Sequence, residues 1–348
     1  MINTKGLFNI RGALLISLLM FSSFCSLLSA SNLKTDTLDF SSGKALQAYY
    51  RYVLKVTDDN TWMLYEKDLD YLRELPVDSS KIKRFHLNYD TLFVHDDASS
   101  LHVVSLKDSV EPLLLSLEAV THFDMNASML YVASKQSAIK SIDYHTKHVY
   151  WEQPISSSDL ALVPGADFIV SVHKNQLQLL SIESGELLHT QSLSKGHWSI
   201  EQQWSRAVVL SNQTGDLVLY DFASQQLRSL EIKKESILAW VRQKEAILIN
   251  EESQLLSCYD VEQSHTRWMH YFDQGIMHAL VSDEGLLVIT DENDLLIWNH
   301  FTAQELLKVA LKEAEKPALF YRLQRGWYVA FSEFMLYIKE DDDKDAIN

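Results

Sequence analysis

The stretch VVLSNQTGDLVLYDF, Val208–Phe222, decides the fold. Two runs rich in β-branched and Leu residues flank a polar turn with one glycine, which is the pattern of a β-hairpin. Seven further stretches have the same form, and their central residues recur 38 to 41 residues apart. The eight hairpins are centred on Leu54, Phe93, Tyr131, Ile169, Val209, Leu248, Val288 and Val329.

Each hairpin lies inside a longer unit with further apolar strands. PLLLSLE, residues 112–118, follows its hairpin, and GIMHALV, residues 275–281, precedes its own. Four strands in about 40 residues are typical of a β-propeller blade. We therefore predict an all-β fold, a β-propeller of eight four-stranded blades, with seven blades as the alternative. A parallel solenoid usually has a shorter period, and a helical repeat would show a 3.6-residue apolar spacing.

The two ends of the chain predict how the ring closes. The last hairpin runs directly into the acidic residues 340–343 and has no outer strand after it. Residues Leu33–Phe40 precede the first unit and have no partner of their own. Pairing this segment with the last blade would remove an exposed strand edge. We expect one propeller domain over residues 31–340 and an acidic tail over 341–348.

Residues 1–30 have the layout of a secretory signal peptide. Lys5 and Arg11 form a positive region, Gly12–Leu28 is an uncharged apolar run, and small residues follow at 29–31. We predict cleavage after Ala30 or Ser31. An uncleaved membrane anchor is the alternative, since the apolar run is close to the minimum length of a span.

A lipid anchor fits the same region poorly. A lipoprotein signal places a small residue directly before the modified cysteine and a Leu-like residue three before it. Cys25 is instead preceded by Phe24 and Ser22 at those positions. We do not expect lipidation.

The charge balance limits the partners of the chain. It carries 31 Lys and Arg against 47 Asp and Glu, a net charge of −16, and no acid lies in the first 30 residues. The densest basic run, residues 81–84, is short. A phosphate backbone would be repelled by such a surface, so we do not expect nucleic acid as a partner.

Three turn sequences carry a further repeated pattern. They read IDYHTKHVYW at 142–151, SIESGELLHT at 181–190 and YDVEQSHTRW at 259–268, with a weaker copy at 220–229. They resemble the quinoprotein-type propeller repeat, whose turn reads roughly Asp-x-x-Thr-Gly-x-x-x-Trp. The matching residues are Asp143, Thr146, Trp151, Ser184, Gly185, Asp260 and Trp268.

This resemblance implies a structural role for the tryptophans. In that family the repeat Trp packs between neighbouring blades, and we expect this of Trp151 and Trp268. The chain also broadly resembles the periplasmic propeller subunit that helps to insert outer-membrane β-barrels, and the luminal propellers of endoplasmic-reticulum membrane complexes. The repeat does not imply a bound quinone, because fold alone does not give function.

The sequence contains no catalytic motif. Gly-rich phosphate loops, Gly-x-Ser-x-Gly elbows and His-Glu-x-x-His helices are absent. His145 and His148 flank a turn, and turn acids such as those at 291–294 lack the rest of a calcium loop. The glycosylation triplets at Asn126 and Asn212 are as frequent as chance predicts. Cys258 lies in an apolar stretch and is expected to be buried. We therefore predict no catalytic, cofactor-binding or metal-binding residues and no cofactor.

Two functional classes remain. The first is a monomeric, non-enzymatic scaffold that binds other proteins in the periplasm, in the endoplasmic-reticulum lumen or outside the cell, touching a membrane only through an uncleaved signal or a partner. The alternative is an enzyme or ligand-binding protein that uses the central channel. A scaffold should expose an apolar patch on its rim, whereas an enzyme should gather acids, His or Arg in the channel.

Overall fold

The computed structural model describes most of residues 34–339. The gaps are 39–44, 50–51, 60, 67–68, 76–81, 89, 97, 108–112, 127, 137, 164, 242–243, 251, 253, 283, 314, 324–325 and 332–333. The predicted signal peptide and the acidic tail lie outside the described residues. Within the described part, no helix is long and apolar enough to cross a membrane.

Eight four-stranded antiparallel sheets make up the described part of the chain. The first strand of the chain, β1 (Lys34–Leu38), belongs to the last of these sheets. The next sixteen strands form blades 1 to 4 in chain order. They are β2 (Ala45–Tyr49), β3 (Tyr52–Val56), β4 (Trp62–Glu66) and β5 (Tyr71–Leu75) in blade 1; β6 (Ile82–Asn88), β7 (Thr91–Asp96), β8 (Leu101–Ser105) and β9 (Leu113–Leu117) in blade 2; β10 (Val120–Met125), β11 (Met129–Ser134), β12 (Ile139–Asp143) and β13 (Val149–Gln153) in blade 3; and β14 (Asp159–Leu162), β15 (Phe168–His173), β16 (Gln176–Ser181) and β17 (Leu187–Ser192) in blade 4.

The remaining strands continue the same order through blades 5 to 8. They are β18 (Trp198–Trp204), β19 (Ala207–Asn212), β20 (Asp216–Asp221) and β21 (Gln226–Lys233) in blade 5; β22 (Ile237–Val241), β23 (Glu245–Asn250), β24 (Leu255–Asp260) and β25 (His265–Tyr271) in blade 6; β26 (Ile276–Val281), β27 (Leu286–Thr290), β28 (Asp294–Asn299) and β29 (Gln304–Ala310) in blade 7; and β30 (Leu319–Leu323), β31 (Gly326–Ala330) and β32 (Met335–Lys339) in blade 8. One 3₁₀ turn, Lys234–Ser236, joins blades 5 and 6.

The eight predicted hairpins are the second and third strands of the eight blades. All eight central residues lie in second strands, for example Leu54 in β3 and Val329 in β31. Apart from the second half of β23, these strands are largely buried because they are covered on both faces by neighbouring blades. The prediction of eight blades is confirmed, and seven blades is not the arrangement.

Blade 8 is assembled from both ends of the chain. Strand β1 pairs antiparallel with β32 over five residues, from Lys34 opposite Lys339 to Leu38 opposite Met335. The predicted closure by the N-terminal segment is therefore confirmed. The strand order of this blade is β1-β32-β31-β30.

The core is divided into layers between blades. Each pair of neighbouring blades shares at least one buried apolar cluster: Trp62 of blade 1 packs with Leu92 of blade 2, for instance. The ring is completed where Val53 of blade 1 meets Tyr321 and Met335 of blade 8. Burying a side chain of this kind contributes about 1.5–3 kcal/mol, so every blade depends on both neighbours.

The radial order of the strands follows from contact and exposure. First strands contact the first strands of the next blade, as β10 does with β14 and β14 with β18, and so form the inner ring. Fourth strands such as β13 and β17 are largely exposed and form the outer surface. The inner ring, the loops and these outer strands are therefore the parts of the fold where side chains can reach a ligand or a partner.

Candidate functional site

The repeated turn has one geometry in several blades. A polar side chain at the end of the third strand accepts hydrogen bonds from backbone N–H groups two or three residues later. In blade 3, Asp143 Oδ1 accepts from the N–H of Thr146 at 2.8 Å and of His145 at 2.9 Å. The bond from Thr146, and that from His145, lower the pKa of Asp143. Asp221, Asp260 and Asn299 act in the same way in blades 5, 6 and 7.

The turn also requires a residue with left-handed backbone conformation, that is with positive φ, four positions after the polar side chain that caps it. Only blade 4 places a glycine there, Gly185, with φ of 72°. The same conformation is adopted by Lys147, Gln225, Ser264 and Ala303, with φ between 54° and 62°. A residue with a Cβ pays about 1–2 kcal/mol in this conformation. The turn geometry is thus kept although the glycine is not.

The outer strands hold neighbouring blades together through side-chain donors. Trp151 Nε1 donates to the carbonyl of Ile182 in blade 4 at 2.8 Å, and Trp268 Nε1 donates to that of His300 in blade 7 at 2.9 Å. The Trp151 ring is buried against Gly185, where an added Cβ would lie 2.5 Å from Cε3. The expected structural role of both tryptophans between blades is confirmed.

Two arginines make the same contact, and the sequence pattern did not reveal them. Arg73 Nη2 donates to Ser105 O at 2.8 Å, and Arg228 Nη2 donates to Val261 O at 2.7 Å. Like the tryptophans, they pair with the residue two positions before the end of the third strand. We call this the docking position. Arg228 lies seven residues after its turn acid rather than eight, so a search for Trp at fixed spacing misses it.

A β-bulge precedes the docking position in six blades. In blade 3, Ile142 pairs with Val149 and Ser141 with Trp151, which leaves Tyr150 without a partner residue. The bulge bends the outer strand and makes its edge less suited to pairing with another chain. The six bulge residues are Leu72, Leu114, Tyr150, Leu188, Arg267 and Leu306.

Four of these bulge residues are large, apolar and exposed. Leu72, Tyr150, Leu188 and Leu306 have exposed fractions of 43%, 59%, 56% and 45%. A second exposed apolar residue lies next to the bulge in three blades: Tyr71 in blade 1, Val149 in blade 3 and Leu187 in blade 4. We call Val149, Tyr150, Leu187 and Leu188 the blade 3–4 patch. Among the described residues, these are the two adjacent blades whose outer strands each expose two large apolar side chains.

The blade 3–4 patch lies across one tight blade contact. Between its two halves, Trp151 binds Ile182 and Gln153 Nε2 donates to Ser184 O at 3.3 Å. The turn of blade 3 exposes Lys147 and His148, whereas the turn of blade 4 exposes Glu183 and Glu186. The acidic turn of blade 4 therefore lies between the two apolar halves of the patch.

The bulge residue of blade 6 is charged and pairs with buried acids. Arg267 Nη1 lies 2.7 Å from the buried carboxylate of Glu245, and its Nε lies 3.7 Å from buried Asp260. This arginine offsets the cost of two buried acids. Burial, and then the neighbouring Glu245, raise the pKa of Cys258 to about 12. Cys258 is fully buried, as the sequence predicted, and its thiol is held protonated.

The inner ring carries a cavity of about 260 Å³ lined by first strands of blades 2 to 5. Two carboxylates in its lining accept hydrogen bonds from the backbone of the next blade. Asp124 Oδ2 accepts from the N–H of Leu162 at 2.6 Å, and Asp159 Oδ2 accepts from that of Ile200 at 2.7 Å. Both carboxylates therefore have a structural task. A second, open cavity of about 680 Å³ lies beside the hairpin turn of blade 5, where Lys234 Nζ pairs with Glu201 Oε1 at 2.6 Å.

The other residues that the sequence singled out lie in turns. His145 and His148 are exposed, and no group of three or more His, Cys, Asp or Glu among the described residues is arranged to hold a metal. Asn126 Oδ1 accepts from Met129 N at 2.9 Å, and Asn212 Oδ1 accepts from Thr214 Oγ1 at 2.7 Å. Both asparagines therefore close turns.

A family model agrees with this geometry. The model described as outer membrane protein assembly factor BamB matches residues 116–306, which is more than half of the chain. The chain belongs to this BamB family. The matched region runs from the last strand of blade 2 to the last strand of blade 7 and contains both docking tryptophans. No curated protein sequence matches the chain significantly.

Solved propellers have the same fold as this BamB-family chain. BamB from Moraxella catarrhalis is 9% identical, with a TM-score of 0.55 over 88% of this chain and 99% of that one. The computationally designed Ika8 protein is 13% identical, with a TM-score of 0.60 over 86% and 96%. The C-terminal WD40 domain of Sif2 is 12% identical, with a TM-score of 0.58 over 89% and 98%. At these identities the likeness concerns the fold.

Proposed function

We propose that the protein is an exported, non-enzymatic propeller scaffold that binds another protein in a cell-envelope assembly. The observation that carries the proposal is the blade 3–4 patch. Exposed large apolar side chains grouped on neighbouring outer strands are typical of an interaction site. An apolar patch on the rim is also the feature that distinguishes a scaffold from a channel enzyme.

The N-terminus and the family support an exported location. Residues 1–30 have the pattern of a signal peptide, and the family description refers to the assembly of outer membrane proteins. Together they favour the bacterial periplasm over the secretory lumen. Sequencing the N-terminus of the protein from its native source should give Ser31 or Asn32 as the first residue.

The patch defines the chemistry of the partner. Its apolar side chains suit a partner surface with exposed aliphatic or aromatic side chains. Glu183 and Glu186, in the turn between the two halves of the patch, favour a basic group on the partner, and Lys147 and His148 favour an acidic one. Such an arrangement would orient the partner across the boundary between the two blades.

The proposal is tested by placing a charge in the patch. The double variant Tyr150→Glu, Leu188→Glu should reduce partner recovery from the native compartment by more than about tenfold, because both changes bury a charge in an apolar contact. The matched control is Leu306→Glu, at the same bulge position on the opposite side of the ring. Partner recovery that is undiminished in the double variant, or equally reduced in the control, would overturn the assignment of the patch.

A further inference from the structure

One end of blade 6 leaves apolar side chains uncovered at positions that the other blades bury. Ile249 pairs with Leu256, four residues before the end of β24, and is half-buried. In the same register, the other seven blades place residues that are at most 2% exposed: Val56, His95, Ala133, Val172, Ser211, Ile289 and Ala330. Leu248, one residue earlier, is half-buried as well, whereas Leu210 in the same register of blade 5 is fully buried. The neighbouring blades therefore do not cover this end of blade 6.

Uncovered side chains form a row across all four strands of blade 6. Leu248 lies opposite Ile237 of β22, and it shares its partner residue on β24 with Met269 of β25. Leu255 lies opposite Tyr271, two residues further towards the same end. Cross-strand partners lie on one face of a sheet, and Ile237 and Leu248 pack against the cluster shared with blade 5. We call these five residues, of which Met269 and Tyr271 are 56% and 60% exposed and the others half-buried, the blade 6 row.

The charges beside the blade 6 row are negative. Three exposed acids flank it: Glu235 in the turn before β22, Glu252 in the turn between β23 and β24, and Asp273 after β25. None of the three forms an ion pair within the described part of the chain. The two lysines next to Glu235, at 233 and 234, are each already paired with an acid of blade 5. This end of blade 6 therefore favours a partner with positive charge.

The dimensions of the blade 6 row favour a single extended chain. Neighbouring strands lie about 4.8 Å apart, so a row across four strands is roughly 14 Å long, which is the span of about four or five extended residues. Stacked sheets pack about 10 Å apart, whereas a helix with its side chains is about 10–12 Å wide. A helix would therefore not enter between the ends of blades 5 and 6.

We propose that the blade 6 row binds an extended segment of a partner protein in which large apolar side chains are flanked by Lys or Arg. The apolar side chains of the segment cover the row, and its basic ends lie against Glu235, Glu252 and Asp273. Covering exposed apolar surface supplies the affinity, and the charges select basic segments over acidic ones. This site is separate from the blade 3–4 patch and does not depend on it.

Methyl NMR of the purified protein with isotope-labelled methionine methyl groups tests the proposal. The probe is the peptide Lys-Phe-Thr-Leu-Thr-Leu-Lys, which should shift the Met269 signal saturably because Met269 lies in the blade 6 row. The Met277 signal is the internal control and should shift much less, since this side chain is also 47% exposed but lies on β26 of blade 7. The peptide Glu-Phe-Thr-Leu-Thr-Leu-Glu, with the same apolar side chains, should bind more than about tenfold more weakly.

A charge placed in the blade 6 row supplies the matched variants. Tyr271→Glu should weaken binding of the Lys-flanked peptide more than about tenfold, because it buries a charge in an apolar contact. Leu227→Glu, at an exposed apolar residue on the outer strand of blade 5, should leave binding unchanged. So should the double variant Tyr150→Glu, Leu188→Glu, which separates this site from the blade 3–4 patch. No saturable shift at Met269, equal binding of the two peptides, or equal effects of Tyr271→Glu and Leu227→Glu would each overturn the proposal.

Discussion

A methyl group at Gly185 tests the docking of Trp151 most sharply. The substitution Gly185→Ala places a Cβ 2.5 Å from Trp151 Cε3 and 2.8 Å from Cγ of Gln153, at a residue whose φ is 72°. An alanine in the left-handed backbone conformation destabilises the folded protein by about 1–2 kcal/mol. Alanine also lowers the conformational entropy of the unfolded chain, which offsets about 0.4–1 kcal/mol of that loss. Displacing the Trp151 ring removes its hydrogen bond to the Ile182 carbonyl, which contributes about 1 kcal/mol. The disturbed packing of the ring costs a further 1–3 kcal/mol, roughly. We expect a total loss of about 4 kcal/mol in the free energy of unfolding.

Gly165 is the matched control because it separates strain from collision. Its φ is 71°, yet an added Cβ meets nothing within 4 Å. Gly165→Ala should therefore cost about 1 kcal/mol in urea-induced unfolding, from strain alone. In a Trp151→Ala background, the cost of Gly185→Ala should fall towards the same value, as a double-mutant cycle would show. Equal costs at the two glycines in the intact protein would refute the docking argument.

Three further predictions concern other features of the chain. Lys147→Gly should raise the free energy of urea-induced unfolding by about 0.5 kcal/mol, because glycine adopts the left-handed conformation of this position without steric strain. Lys147→Ala keeps a Cβ and should not raise it. Cys258 should resist alkylation at pH 8 in the folded protein and react fully in urea, because its pKa of about 12 leaves almost no thiolate; rapid labelling of the native protein would contradict its burial. Hydrogen bonds from Lys233, Thr214 and Asn212 lower the pKa of Asp216 from 3.8 to about 2, so its contribution is complete above pH 4 and is lost as pH falls through 2. Melting temperatures between pH 5 and pH 2 should accordingly fall less in Asp216→Asn than in the unsubstituted protein.

The blade count and the ring closure could be predicted because they depend on local patterns. Hairpin strands covered on both faces read as short apolar runs, and each turn interrupts them with polar residues. The segment Leu33–Phe40 could be assigned to blade 8 because a closed ring leaves no other place for an unpaired strand. The roles of Trp151 and Trp268 followed from the same repeat pattern.

The docking arginines and the exposed patch could not be predicted because they depend on register between strands. Whether Leu188 is buried or exposed is decided by a bulge, and a shift of one residue turns a side chain to the other face of the sheet. Arg73 and Arg228 share the docking position with tryptophans, although their spacing from the turn differs. A single sequence contains these residues but does not show which strand positions oppose one another.

Site-specific photo-crosslinking tests the central claim, that the outer strands of blades 3 and 4 bind a partner protein. A photoreactive amino acid is placed at Tyr150, Leu188 or Leu306, one at a time, and crosslinking is carried out in the native compartment. Tyr150 and Leu188 should yield the same crosslinked partner, and Leu306 on the opposite side should not. A partner captured equally from all three positions, or from Leu306 alone, would contradict the claim.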